Sequence, residues 1–293
     1  MPQPSDSKEF LDYLKLRYKI YNQKLKISSC IATWTDVCGF GNLLQKNNWD
    51  LNKLQDNRIV HLLNEVYTIA GRVFLPNVAP LPSDRIIVLN GGIAKSVDLE
   101  YRSYLNGYVF LFFIRDTIIN HHILLKITKR FRVGIRTILA GGERIQYSPE
   151  KITGQSILYY DEKNISEHGK KILDTQFLYN PAEFQMNTAF AKAFTIDTLG
   201  TKEGIVVNGL FIEKTFMDLI SGIPDLEIKQ TKTAFDIYFK NTLMFKFQIF
   251  NKLEKIIKGL KCDIFQIDKL FIFKEFDGED IEVKLFEKRN KTS

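Results

Sequence analysis

The stretch SSCIATWTDVCGFGN, residues 28–42, decides how this chain is read. Small and apolar residues lead into Thr33, Trp34 and Thr35, and the run reads as a strand over about 28–35 that ends at Asp36. Cys38, Gly39, Phe40 and Gly41 then break the pattern as a turn. A carboxylate at this place has two readings. It is an oxygen ligand for a hard cation, or it is a polar cap on the turn.

Downstream, Leu51, Leu54, Ile59, Leu62, Leu63 and Val66 predict one long helical region over about 49–73. FLPNVAPLPSDR (74–85) holds three prolines and reads as a loop. DRIIVLNGGIAKSVDL (84–99) is the clearest hairpin, with NGG able to supply positive φ. Residues 103–127 predict a second long helix, and RFRVGIRTILAGGERI a strand, a double-glycine bend and a short return strand. Residues 143–180 read as a loop-rich insertion, and 180–200 as a helix with Asn180 as cap and Pro181 in its first turn. GIVVNGLFI predicts a strand with a short helix after it. From about 225 the chain mostly alternates as strands, interrupted by NKLEKIIKGLK (251–261), which reads as a basic amphipathic helix. Ahead of all this, Phe10, Leu11, Leu14, Tyr18 and Tyr21 fall at helical spacing. The expected organisation is an N-terminal helix (1–27), a main domain (28–220) and a β-rich extension (221–293), of α+β class with one mixed sheet covered by helices.

Bulk properties narrow the function class. The 293 residues suffice for a substantial core, and 45% hydrophobic with 26% charged residues is ordinary for a globular protein. Three cysteines, an odd number without CxxC spacing, argue against a disulfide framework and a zinc site, and fit a reducing cytoplasm. The start MPQPSDSKEF has no basic-then-apolar pattern, and the apolar run YVFLFFI (108–114) is too short to span a bilayer, so no membrane partner is expected. A net charge of +7 favours an anionic partner weakly, but the excess is spread along the chain as on a lysine-rich surface. Nucleic acid is therefore not the expected partner. The adjacent His121 and His122 point to different helix faces and make a poor metal pair, and Ser156 and His168 lack a nucleophile-elbow context.

Four pieces, in order, resemble the class III nucleotide cyclase catalytic domain, whose palm is ferredoxin-like. WTDVCGFG (34–41) is similar to that family's first motif, an aromatic, any residue, Asp, two residues, then Gly-Phe. RIIVLNGGIAKSV (85–97) sits where the family carries its central hairpin with a Gly-Asp turn. FRVGIRTILAGG (131–142) resembles its Arg-x-Gly-Ile strand, and MNTAFAKAF with GIVVNGLFIEKTF resembles its Asn-x-Ala helix and following strand.

The resemblance implies attack of a ribose 3′-hydroxyl on the α-phosphate of a nucleoside triphosphate, with pyrophosphate leaving. Two carboxylates hold two Mg²⁺ or Mn²⁺ ions that activate the hydroxyl and neutralise the phosphates. Asp36 matches the first metal carboxylate. Main-chain amides of Val37, Cys38, Gly39, Phe40 and Gly41 match the phosphate contacts. Asn187 matches the ribose-orienting Asn. The second carboxylate is replaced by Gly92 or Ile93, leaving Asn90 as a neutral oxygen and Asp98 further along the strand. The transition-state Arg is replaced by Ala191, with Lys192 one position off. Lys is a point charge without the fork of Arg.

The expectation is a nucleotide-binding cyclase homologue with weak or lost activity in signalling or defence, with a second copy of the chain as a candidate partner in a homodimer. Two alternatives stay open, an active nucleotidyl cyclase and a non-enzymatic interaction module.

Overall fold

The computed structural model describes residues 7–8, 11–12, 15, 26–71, 85–99, 107–146 and 184–286. Phe10, Leu14, Tyr18 and Tyr21, most of the proline loop, and the insertion over 147–183 with Ser156, His168, Asn180 and Pro181 lie outside the described residues. The chain divides into two compact units, Ser29–Glu143 with Thr188–Ser293, and Met1–Ser28 with Arg144–Asn187. In the second of these, the Leu11 amide donates to the Ser7 carbonyl at 3.0 Å, a helical i to i−4 bond, and Arg144 and Asn187 form an antiparallel bridge.

The larger unit is built on one mixed sheet. Its strands are β1 (Lys26–Cys38), β2 (Arg85–Leu89), β3 (Gly92–Asp98), β4 (Gly134–Gln146), β5 (Leu210–Glu213), β6 (Leu226–Gln230), β7 (Ala234–Phe239), β8 (Thr242–Ile257), β9 (Leu260–Ile272) and β10 (Ile281–Lys284). Their order is β2-β3-β1-β4-β5-β9-β8-β7-β6, with β10 on β9. The β2-β3-β1-β4 segment is the ferredoxin-like palm expected from the sequence, and β5 joins it parallel to β4, as a strand returning through a helix must. The remaining strands pair antiparallel and continue the same sheet.

Seven α-helices occur among the described residues: α1 (Phe40–Lys46), α2 (Leu51–Asp56), α3 (Ile59–Ile69), α4 (Gly107–Arg130), α5 (Thr188–Leu199), α6 (Lys214–Ile220) and α7 (Lys274–Asp277). Strand periodicity of two separates the sheet's faces. On one face Ile31, Val97, Leu139 and Ile212 pack with Phe110, Phe113, Ile114 and Ile118 of α4 and with Phe216 of α6. Val37, Ile93 and Ile135 continue that face against Leu62 and Val66 of α3 and Leu124 of α4. On the other face Cys30 and Ala32 are small enough to admit Ala189 of α5.

Several expectations need correction. β1 does not end at Asp36 but runs to Cys38. The helical region over 49–73 is two helices, because Arg58 turns into the left-handed region (φ 60) between them. The double glycine makes no bend. β4 is continuous through Gly141 and Gly142, and these glycines instead let helices approach closely. A Cβ on Gly142 would sit 2.6 Å from the Ala189 amide, and one on Gly141 would strike the Thr215 carbonyl. NKLEKIIKGLK is no helix. It lies in β8, the two-residue turn Lys258–Gly259 (φ 48 and 85) and β9, because pairing from Phe245↔Ile272 through Ile257↔Leu260 overrides its helical spacing. In the β2–β3 hairpin the positive φ falls on Asn90 (φ 50) rather than on a glycine.

Beneath the sheet runs a chain of polar groups. His121, fully buried on α4, has Nε2 3.1 Å from the Leu285 carbonyl, so Nε2 carries the proton and donates. Its bare Nδ1 accepts from Thr137 Oγ1 at 2.9 Å, and Thr137 Oγ1 accepts from Thr35 Oγ1 at 3.1 Å. His122 Nδ1 donates to the neighbouring Lys284 carbonyl at 2.7 Å. The two histidines thus fasten consecutive carbonyls of the C-terminal segment to α4.

Burial pushes the His121 imidazole down from 6.5 to about 4. The folded value lies below the unfolded one. The neutral ring's contribution is therefore complete above pH 6.5 and declines as pH falls toward 4. Chemical denaturation across pH 4–7 should show wild type losing up to about 3 kcal/mol more stability than His121→Gln over this window. Equal losses in the two proteins would refute the assignment.

Candidate functional site

Asp36 and the hairpin turn lie together. Asp36 pairs with Gly92 across the β1–β3 ladder, Thr35 with Ile93, and the Val37 amide donates to the Gly91 carbonyl at 2.8 Å. A second carboxylate is absent there for a steric reason. A Cβ on Gly92 would overlap the six-membered ring of Trp34, and one on Gly91 would meet the Phe40 ring at 3.0 Å. The aromatic residues of the first motif therefore fill the space where a hairpin side chain would stand. Asp98 does not replace it. It pairs with Cys30, six residues down the strand from Asp36, or about 20 Å away.

Asp36 meets other charges instead. β1 and β4 are neighbours, and Thr35 and Thr137 touch side chain to side chain on the α4 face. Alternation then sets Asp36 and Arg136 next to each other on the α5 face. Asp197 of α5 reaches the same place. Its Oδ1 accepts from Arg136 Nε in a buried ion pair, and its Oδ2 accepts from Trp34 Nε1 at 3.2 Å. Arg136 also donates from Nη1 to the Ile205 carbonyl at 2.8 Å. Phe190 and Phe194 of α5 place their rings edge-on to Trp34, with centroids 6.0 and 5.3 Å away.

Burial pushes the Asp36 carboxyl up to about 6. The Asp197 charge adds to the rise, while Arg136 and the Cys38 thiol oppose it. Burial pushes the Cys38 thiol up to about 12, so it stays protonated.

The other residues singled out in the sequence fall as follows. The turn is held by Gly39 in the left-handed region (φ 91), and α1 begins at Phe40 with its Asn42 and Leu43 amides donating to the Gly39 carbonyl. The Val37 amide is engaged by Gly91. Asn90 is exposed, and its carbonyl accepts from the Tyr67 hydroxyl. Lys192 is bound within the protein, donating to Glu213 Oε2 at 3.0 Å and Thr215 Oγ1 at 2.6 Å. Asn187 is buried in the other compact unit, bridged to Arg144.

Two Mg²⁺ or Mn²⁺ ions need several converging oxygen ligands. Among the described residues no three His, Cys, Asp or Glu side chains converge on one point. Among the described residues the carboxylate that acts on Asp36 is Asp197, whose two oxygens already accept from Arg136 and Trp34. Cys38 is a neutral thiol. This donor set does not fit a two-metal centre.

Arg136, Asp197 and Trp34 were not singled out as site residues by the sequence. The signal for Arg136 was available, since it is a charge inside an otherwise apolar strand, GIRTIL. Asp197 carried none, because a helix of mixed polarity hides which polar residue points inward.

No protein-family model and no curated protein matches the chain. Among solved structures it is similar to the guanylyl cyclase Cya2, at 9% identity over 90% of this chain and 100% of that one, with a TM-score of 0.49. It is similar to the guanylate cyclase domain of RhGC from Catenaria anguillulae in complex with GTP, at 12% identity over 83% and 97%, TM-score 0.41. A bacterial light-regulated adenylyl cyclase is similar at 11% identity over 85% of this chain and 54% of that one, TM-score 0.41.

Two measurements check this geometry. Gly92→Ala should cost about 1–3 kcal/mol in urea unfolding, because the added methyl overlaps Trp34. Combined with Trp34→Leu, its cost should fall clearly below the sum of the two single changes, and strict additivity would contradict the contact. The Asp36 carboxyl, with its folded value above the unfolded 3.8, stabilises below pH 3.8 relative to higher pH and loses that contribution as pH rises through about 6. Asp36→Asn should therefore stabilise the protein by about 1–3 kcal/mol at pH 8 and by nothing near pH 4.

Proposed function

We propose that this chain is a nucleotide cyclase-homology protein that binds a nucleotide and has weak or lost cyclase activity, acting in cytoplasmic signalling or defence. One observation carries the reading. Asp36, which the sequence resemblance matches to the first metal carboxylate, pairs directly opposite a hairpin residue, Gly92, at which the Trp34 ring leaves no room for a side chain.

The rest of the site supports it. Cyclisation develops negative charge on the α-phosphate and the leaving pyrophosphate, and a cation must meet it. Lys192 is the nearest counterpart of the transition-state Arg, and its charge is already neutralised by Glu213. The Asp36 carboxyl favours its protonated form below about pH 6 and has no partner carboxylate free to share a cation. What remains suits binding rather than turnover: the Cys38–Gly41 turn, held by Gly39 in the left-handed region, for phosphate oxygens. Class III sites are completed by a second chain, and Phe194, 44% exposed on α5, gives a second copy an apolar residue to cover.

The test is thermal unfolding with ATP, GTP, CTP or UTP, first without divalent metal and then with Mn²⁺, alongside mass spectrometry for cyclic products. One nucleotide at about tenfold over its Kd should raise Tm by about 2–4 °C with no stoichiometric cyclic product. Multiple-turnover product that disappears in Asp36→Ala would establish an active cyclase instead. No shift with any nucleotide would leave the interaction module.

A further inference from the structure

Three facts about the α5 face of the sheet belong together. Asp36 lies on that face close enough to Asp197 for the Asp197 charge to raise the pKa of its carboxyl. The guanidinium between strand and helix is fixed on three sides, by Asp197 at Nε, by the Ile205 carbonyl at Nη1, and by strand β4 beneath. Its side chain and that of Asp197 are only 9% and 10% exposed, so it is not a surface lysine-like charge that can swing away. Arg remains protonated at any working pH, and its planar fork suits this fixed arrangement.

We infer that Arg136 is a built-in counter-cation that takes the place of divalent metal at Asp36, making this centre metal-independent. The inference rests on the reading that the palm no longer runs two-metal chemistry, and extends it to what replaced the ions. Two neighbouring carboxylates in a partly buried site require a positive charge close by. In a metal-bearing palm that charge is a divalent ion, which arrives and leaves with substrate. Here it is covalently part of β4. The guanidinium engages the second carboxylate directly, and the Trp34 indole occupies both the other Asp197 oxygen and the side-chain volume opposite Asp36. A divalent ion arriving at Asp36 would meet one available carboxylate and a fixed positive charge.

This predicts a gain of function on deleting the cation. In Arg136→Gln, Asp36 and the nearby Asp197 lose the guanidinium that compensates them, and a divalent cation can take its place. Mn²⁺ binding to the full chain is followed by the electron paramagnetic resonance signal of the free ion, at pH 7.5 and without nucleotide. Wild type should bind no more Mn²⁺ than Asp36→Asn does. Arg136→Gln should bind at least tenfold more tightly than wild type, and Arg136→Gln/Asp36→Asn should lose that gain.

Removing one partner of a buried pair is costly, so the folding of Arg136→Gln is followed by circular dichroism with and without Mn²⁺. A variant that is unfolded alone and folds on adding Mn²⁺ supports the inference equally. Wild-type binding that Asp36→Asn abolishes overturns it. So does a folded Arg136→Gln with no gain, or an unfolded one that Mn²⁺ does not restore. The metal-free nucleotide shift of wild type reports on the underlying reading separately, since it involves neither Mn²⁺ nor Arg136 substitution.

Discussion

Everything at the centre of this molecule depends on where the Trp34 indole lies. The β1–β3 register puts Asp36 opposite Gly92 and Trp34 opposite Ala94 on one face. The ring leans over Gly92 and takes the volume of its missing side chain. An indole buried this deeply needs a partner for its N–H, and Asp197 supplies it. A buried carboxylate in turn needs more than one neutral donor, and Arg136 supplies the charge. Glycine at 92, aspartate at 197 and arginine at 136 are thus consequences of one aromatic residue two positions before Asp36.

The Arg136–Asp197 pair is weak evidence for stability in itself. Desolvating two charges offsets most of what their attraction returns, and the net worth of such a pair against an apolar substitute is near zero. Its consequence is positional. It fixes the C-terminal half of α5 to β4, while the N-terminal half is fixed by close approach over Gly142 and by the Lys192–Glu213–Thr215 group at the end of β5. Thr215 Oγ1 donates onward to the Gly141 carbonyl at 2.8 Å, so that group is tied into β4 as well. Both sets of polar contacts converge on the one strand that runs through the middle of the palm.

The order of the palm was legible because short-range rules and the fold agreed there. An apolar strand ending in Asp-x-x-Gly, a hairpin around Asn90–Gly91 and a strand with a glycine pair all mark their own places. The β8–β9 hairpin was illegible for a definite reason. Leu253, Ile256, Ile257 and Leu260 are spaced i, i+3, i+4 and i+7, the helical signature, yet the strands on either side extend the pairing through them. Ile256, 78% exposed, shows that its apolar character was never about a helix face. The pair Gly141–Gly142 reads as a bend in the sequence, whereas its use in the structure is close approach. At the site, Asp36 was visible because it ends a pattern. Arg136 and Asp197 were not, because their meeting depends on β1 and β4 being neighbours and on which side of α5 faces inward.

Parity then decides where chemistry can occur. Thr35 and Thr137 sit one residue from Asp36 and Arg136, and they face the opposite way, into the neutral chain that ends on His121 and the Leu285 carbonyl. Shifting β1 by one residue would drive Asp36 into the apolar layer under α4 and bring the Thr35 hydroxyl to the α5 side, and shifting β4 would do the same with Arg136 and Thr137. The burial of Ile31, Val37, Ile93 and Ile135 on the α4 face forbids that slip. The apolar core therefore does more than hold the sheet together. By fixing register it confines Asp36 and the Arg136 guanidinium to the α5 side, so any ligand of Asp36 has to approach from that side and meet Arg136 already in place.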